Sequence, residues 1–391
     1  MRALSCLIAL SLSGAAFAQE VPCGGDFQTF KAGLRDEAVA MGHDAEVARR
    51  FLSGARQDSS VLRRDRAQGI FQTPFIEFSR KLISQDRLDR GRQLSQRWDE
   101  VFDRIERDYG ISRGVLLAFW AFETDYGAFQ GDFNTLNALV TLAHDCRRPE
   151  IFRPQIFAAM ELYERGDFDP ATTTGAWAGE IGMVQMLPRD ILENGMDGDG
   201  DGHVTLKTSA PDALLSGAKM LSELGWRHGE PWLQEVVLPA DMDWSQTGLE
   251  TTMSVAEWER LGVRAREGAL DDGRLEASIL LPQGRGGPSF IAYPNFRVYF
   301  EWNQSFTYVM TAAYFASRLE GASVYDPGNP DPGLSGEQML ALQRALDAKG
   351  YDVGGIDGIL GAGTRSAVRD MQARLGLPAD GWPTIELLNL L

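Results

Sequence analysis

Between Val115 and Gly127 the chain reads VLLAFWAFETDYG, eight apolar residues in a row closed by the carboxylate of Glu123. Read as a helix, the stretch places Phe119 and Trp120 one turn before Glu123 and Leu116 two turns before it, so the face that carries the acid is apolar. A chain with such a segment has to fold so that the segment is sheltered, and the carboxyl is then held in a dry place. Desolvation disfavours the charged form and raises the pKa, which is what a general acid working near neutral pH requires. The alternative is a solvated glutamate near a helix end, the commoner situation for this residue type. Ser112 is the predicted N-cap of this helix, and Gly127, in a left-handed conformation, its predicted stop.

The surroundings read as α-helix in the same style. Residues 26–52 show helical spacing broken at Gly42, and further helical patterns cover 74–108, FNTLNALVTLAHD, Gln155 to Arg165, Pro211 to Gly225 and Ser305 to Glu320. Arg56 to Gly69 is polar and is expected to be a connection. From about 235 to 300 the character changes to short apolar runs such as SILLP and SFIAY, Gly and Pro between them, and alternation in FRVYFEW, which predicts a small antiparallel β insertion. Pro327 to Gly333 (PGNPDPG) reads as a linker. Beyond it, 334–391 predicts a compact helical unit in which Leu340, Ala345, Leu346, Val368 and Leu375 are candidate core.

The first eighteen residues predict a secretory signal peptide: Arg2, an apolar run from Leu4 to Leu12, and Ala16-Phe17-Ala18 as the cleavage site. The mature chain is expected to begin at Gln19 and to have no membrane span. Processing removes Cys6 and leaves Cys23 and Cys146, for which an oxidising compartment predicts a disulfide. A catalytic thiol is the competing idea, but none of the four His stands in a recognisable Cys-protease context. The formal charge of -17 argues against nucleic acid and anionic membrane surfaces, both of which demand a basic footprint.

One motif points to a metal. Asp197, Asp199 and Asp201 stand at alternate positions, Gly202 makes the turn, His203 offers a backbone carbonyl and Val204 is apolar, the pattern of an EF-hand loop. Thr208 stands where a bidentate Glu belongs, so Asp212 from the following helix would have to supply the missing oxygens. The ion expected is a structural Ca2+ or Na+; the alternative is an acidic turn without an ion.

Read together, three segments resemble the periplasmic lytic murein transglycosylases of the B type: GVLLAFWAFETDYGAFQGDFNTLNALVTLAHDCRRPE, GAWAGEIGMVQMLP with the acidic loop behind it, and EWNQSFTYVMTAAYFASRLEG. The resemblance covers nearly all of Cys23 to Gly321. Separately, the C-terminal stretch resembles the small three-helix peptidoglycan-binding module, with Asp357, Gly358, Gly361 and Thr364 as its D-G-x-x-G-x-x-T signature; the loop from Asp357 to Gly363 is the part expected to meet ligand. The resemblance implies a mainly α fold: a lysozyme-like domain over 19–322 with a small antiparallel β subdomain, a linker at 323–333 and a peptidoglycan-binding domain at 334–391. It implies cleavage of the β-1,4 bond between N-acetylmuramic acid and N-acetylglucosamine, with the 2-acetamido group assisting and the muramoyl 6-hydroxyl closing a 1,6-anhydro ring. Glu123 would be acid and then base, with no metal in the chemistry.

Carried over residue by residue, the resemblance makes Gln185 and Asn303 polar contacts to the sugar and Tyr308 a wall of the cleft; the plain alternatives are a loop residue, a helix cap and a core tyrosine. Trp177 and Phe129 could stack on sugar faces, or Trp177 be core. The family usually has Ser, orienting the acid, where this chain has Ala176, and Arg189 also departs from the usual pattern. No second acid is evident, since Asp125 is two residues on and aimed elsewhere. The partner implied is peptidoglycan, the enzyme a periplasmic monomer. The competing readings are a muramidase that hydrolyses with water and a catalytically silent wall-binding protein.

Overall fold

The computed structural model describes residues 21–67 and 73–391. The predicted signal peptide, its cut before Gln19, and Cys6 lie outside the described residues.

Aspartates open the first helices. Asp26 caps α1 (Phe27–Ala40) and Asp44 caps α2 (Ala45–Ser53), each accepting backbone N–H bonds from the first turn. The polar stretch expected to be a connection contains α3 (Ser59–Arg66), capped by Asp58. Val61 and Asp65 anchor it: Val61 is fully buried, and Asp65 is paired with Arg148 and, at 2.6 Å, with Arg147. These partners come from more than eighty residues away, so the local sequence gave no sign of the helix. There follow α4 (Phe75–Leu82), α5 (Gln85–Arg97), α6 (Asp99–Tyr109) and α7 (Arg113–Thr124).

Helix α7 is the axis of the body. Residues Gly114 to Ala121 are all buried. Its start departs from expectation: Ser112 makes no side-chain cap bond, and the N–H of Gly114 is met by Glu320 at 2.7 Å. Its end comes at Asp125 and Tyr126, whose φ angles of 50° and 60° turn the chain before Gly127 is reached. Non-glycine residues pay for left-handed backbone. Here Arg87 (3.0 Å) and Arg90 (2.9 Å) hold the Asp125 carboxylate in place, which accounts for a turn the sequence did not announce.

Next come β1 (Phe133–Asn134), α8 (Thr135–His144), α9 (Pro149–Arg165) and β2 (Thr174–Gly175), which pairs antiparallel with β1. A disulfide joins Cys23 to Cys146, tying the chain before α1 to the α8–α9 corner. Then α10 (Pro188–Asn194) and α11 (Ala210–Glu223) complete the first half of the body.

The β insertion is an antiparallel five-stranded sheet. Its strands are β3 (Leu233–Val237), β4 (Met253–Ser254), β5 (Arg264–Ala265), β6 (Glu276–Leu280) and β7 (Phe290–Ala292), with α12 (Val255–Arg260) after β4. The order across the sheet is β4-β6-β7-β3-β5. Trp258, Ile279, Ile291 and Tyr293 form a small core of its own. The sheet ends before FRVYFEW, which is a helix, α13 (Pro294–Trp302), and not a strand. Pro294 at its first turn sets a helical φ, and Phe296 and Tyr299, three apart, fill the core together. Helix α14 (Phe306–Leu319) then packs along α7.

The C-terminal unit holds α15 (Gly336–Ala348), α16 (Ala362–Arg374) and α17 (Ile385–Leu390) around Met339, Leu342, Leu346, Val368 and Leu387. Of the expected core, Leu375 is exposed at 41%, and Leu340 and Ala345 are half-buried. Asp357 and Thr364 of the signature are bound to the buried side chain of Gln343, which also accepts from the N–H of Gly358. The Pro/Gly linker is strapped to its neighbours: Asn329 donates to Gly286 O at 2.7 Å and Trp382 to Asp331 O at 2.9 Å. The guanidinium of Arg365 lies over the rings of Phe306 and Trp382 and donates to Pro282 O, fixing this unit on the body.

Candidate active site

Glu123 lies in the last turn of α7, where the helix leaves the core. Part of its surface stays open, while protein surrounds it on most sides. Tyr308 O–H donates to Glu123 Oε1 at 2.5 Å and Trp302 Nε1–H donates to the same oxygen at 3.1 Å. Both donors are seated on α7 itself: the Trp302 ring stacks on Phe119 with centroids 4.4 Å apart, and Tyr308 meets Phe122 edge-on. With Oε1 taken by two donors, Oε2 is the oxygen that can carry a proton outward.

Burial pushes the Glu123 carboxyl up to about 7; the bonds from Tyr308 and Trp302 oppose that rise, and the nearby Glu180 carboxylate adds to it. Tyr308 itself is driven well above the ordinary tyrosine range by burial and by Glu123, so it stays a donor. An acid half-protonated near neutrality can give a proton and take one back. Glu180 stands on the Gly-rich turn between β2 and α10, its own carboxyl also raised by burial.

The other residues singled out in the sequence are placed as follows. Gln185 lies on that same turn at φ 55°, its amide donating to Gly182 O at 2.8 Å. Trp177 is half-buried against the main core. The backbone N–H of Ala176 donates to Glu180 O, and with no hydroxyl at this position the orientation of Glu123 comes from Tyr308 and Trp302. Asn303 accepts from Ser305 N at 2.9 Å, at the entry to α14. Phe129 is 75% exposed. Arg189 pairs with Glu193 and lines a separate cavity of about 680 Å³ with Glu37, His43 and Arg153. Two groups went unnoticed in the sequence. Trp302 lay inside the supposed strand, and Glu180 was visible only as a lone charge among glycines and small residues.

In the acidic loop, Asp197, Asp199 and Asp212 each bring a carboxylate oxygen within 4.8 Å of the others. Asp212 is fully buried at the start of α11 and accepts from Gly198 N (2.9 Å) and Thr205 N (2.7 Å). Asp201 is outside this group and accepts from His203 N, and the His203 ring turns to Asp167 at 2.9 Å. All-oxygen donors of this kind fit a hard cation such as Ca2+.

A mainly helical body, a small antiparallel sheet, and a sheltered carboxyl where its central helix meets a Gly-rich turn define a lysozyme-like protein. Residues 26–317 match the family model of the transglycosylase SLT domain, and the chain belongs to that family. Residues 335–391 match the peptidoglycan binding domain. The chain is 24% identical over 279 residues to membrane-bound lytic murein transglycosylase B of Escherichia coli (strain K12), covering 69% of this chain and 76% of that protein. It is similar to SltB3 from Pseudomonas aeruginosa, solved in complex with NAG-anhNAM-pentapeptide, at 34% identity and a TM-score of 0.85, over 94% of this chain and 99% of that one. The Escherichia coli lytic transglycosylase Slt35, solved in complex with calcium, is 25% identical with a TM-score of 0.65, over 78% of this chain and 97% of that one.

Proposed function

We propose that this chain is a peptidoglycan lytic transglycosylase in which Glu123 acts first as acid and then as base. The observation that carries the reading is the Glu123 carboxyl, raised to about 7 by burial and held through one oxygen by Tyr308 and Trp302. Below that pKa it is protonated and can donate to the oxygen linking N-acetylmuramic acid to N-acetylglucosamine, whose departure leaves a cationic centre at C1. The substrate's 2-acetamido oxygen closes on C1, and Glu123, now ionised, removes the proton of the muramoyl 6-hydroxyl as that oxygen displaces the acetamido group. The product is a 1,6-anhydromuramoyl end, the sugar form named in the SltB3 complex. Gln185, Asn303, Trp177 and Tyr308 serve as the sugar contacts, Tyr308 and Trp302 also favouring the ionised acid between the two steps.

The C-terminal unit keeps the polymer close, which raises its local concentration even when each contact is weak. Among the described residues no helix is long and apolar enough to cross a membrane. The leader read in residues 1–18 would direct this enzyme to the periplasm. Asp197, Asp199 and Asp212 would hold a Ca2+, which supplies charge neutralisation to a loop that otherwise gathers three carboxylates.

The test is product analysis of digested sacculi, wild type beside Glu123→Gln. Anhydromuramic ends from the wild type and none from the variant are expected. Reducing muramic ends would show hydrolysis by water instead, equal turnover by the variant would reject Glu123 as the acid, and no product from either protein while both still bind sacculi would leave a wall-binding protein.

A further inference from the structure

Glu180 carries a buried carboxylate oxygen that no described residue meets. Its turn is tightly specified: Ala176 N donates to Glu180 O at 2.9 Å, and Ile181 and Met186 bond to each other in both directions. A Cβ added at Gly175 would meet the Glu180 carbonyl at 2.0 Å, so the residue there must be glycine for the backbone to close. The turn is fastened to α7 one residue beyond the acid, where Thr124 Oγ1–H donates to Met183 O at 2.6 Å. Glu180 and Glu123 therefore ride on one fixed assembly.

The Glu180 carboxyl is half solved. Its Oε2 is buried without a hydrogen-bond partner. Burial raises it most, the backbone N–H groups of Glu180 and Ala178 oppose that rise, and Arg148, itself engaged with Asp65, is the cation that acts on it, more weakly than these. Its charge also reaches Glu123. A buried acceptor left open costs stability, and such features persist where a ligand completes them. The group that would complete this one is a donor, partly cationic, arriving beside the bond that Glu123 cleaves. On the muramoyl residue the amide N–H at C2 has that character, because it turns cationic when its carbonyl oxygen bonds to C1.

We propose that Glu180 is the second carboxylate of the site: it accepts a hydrogen bond from the C2 acetamido N–H of the muramoyl residue and stabilises the oxazolinium formed there. The inference rests on the reading of Glu123 as acid and base. In the first step the C1–O bond breaks, the leaving oxygen takes the Glu123 proton, and the acetamido oxygen bonds to C1, placing positive charge on the N–H whose hydrogen bond Glu180 would accept. In the second, the 6-hydroxyl gives its proton to Glu123, its oxygen bonds to C1, and the acetamido C–O bond breaks to restore a neutral amide. No further reactant is required.

The experiment compares full-length wild type, Glu180→Gln, Glu180→Ala and Glu123→Gln on purified sacculi, with the thiazoline of N-acetylglucosamine as a stable mimic of the oxazolinium. Both Glu180 variants are expected to melt at or above the wild-type temperature, to lose about a hundredfold in kcat with KM changed less than about threefold, and to lose thiazoline affinity by about tenfold or more. Unchanged kcat and thiazoline affinity in both, beside an inactive Glu123→Gln, would sink the role of Glu180 and leave that of Glu123 standing. A melting temperature lowered in step with activity in both variants would make Glu180 a structural residue and overturn the proposal. An active Glu123→Gln would remove the reading on which it rests.

Discussion

Replacing Glu123 with Gln is expected to stabilise the protein by an amount that grows with pH. In the folded chain the carboxyl is raised from 4.5 to about 7, first by burial. Below the unfolded value both states are protonated, and the neutral carboxyl makes its full contribution to stability. Between the two values the native state keeps a proton that the unfolded chain has released, so stability falls as pH rises, and above the folded value the loss is complete. A rise of 2.5 units at 1.36 kcal/mol each amounts to about 3 kcal/mol. The amide oxygen of Gln can still accept from Tyr308 and Trp302, and its NH2 carries no charge to bury. The gap in unfolding free energy between variant and wild type should therefore widen by about 3 kcal/mol from about pH 4 to about pH 8.5. Urea titrations at stepped pH, followed by tryptophan fluorescence with the disulfide intact, measure it. A gap that stays constant across that range would refute the desolvated acid, whatever happens to activity.

Tyr308→Phe removes a donor that favours the ionised acid, so the Glu123 pKa should rise further; the alkaline limb of the kcat/KM profile then moves to higher pH while kcat falls about tenfold. A limb that moves to lower pH would contradict the assigned bond. Added Ca2+ should raise the wild-type melting temperature and leave Asp199→Ala unchanged, with about 2.7 kcal/mol expected at a hundred times Kd; no rise at millimolar concentrations would count against the loop. The paired change Cys23→Ser, Cys146→Ser opens a link between residues 123 apart and should lower unfolding free energy by about 5 kcal/mol in the chain-entropy account, an effect a reductant should reproduce in the wild type.

Where an element's reason lies within a few residues, the sequence by itself was enough. The apolar run before Glu123 already required a sheltered helix, Gly42 divided the first two helices, and the two cysteines outside the expected leader had one intramolecular partner each. Family resemblance added the catalytic acid and the carbohydrate to expect. What only the tertiary structure decided depends on partners far along the chain. Helix α3 exists because Asp65 meets arginines from the α8–α9 corner, and FRVYFEW is a helix because Phe296 and Tyr299 must share one core, although alternation along the chain suits a strand equally well. The stop at Asp125 is set by two arginines on α5. Trp302 and Glu180 are separated from Glu123 by 179 and 57 positions, and no local pattern can register that folding brings a donor and a second carboxylate to the same acid. Electrostatics in a dry site is fixed by distance in space, and spacing along the chain does not measure it.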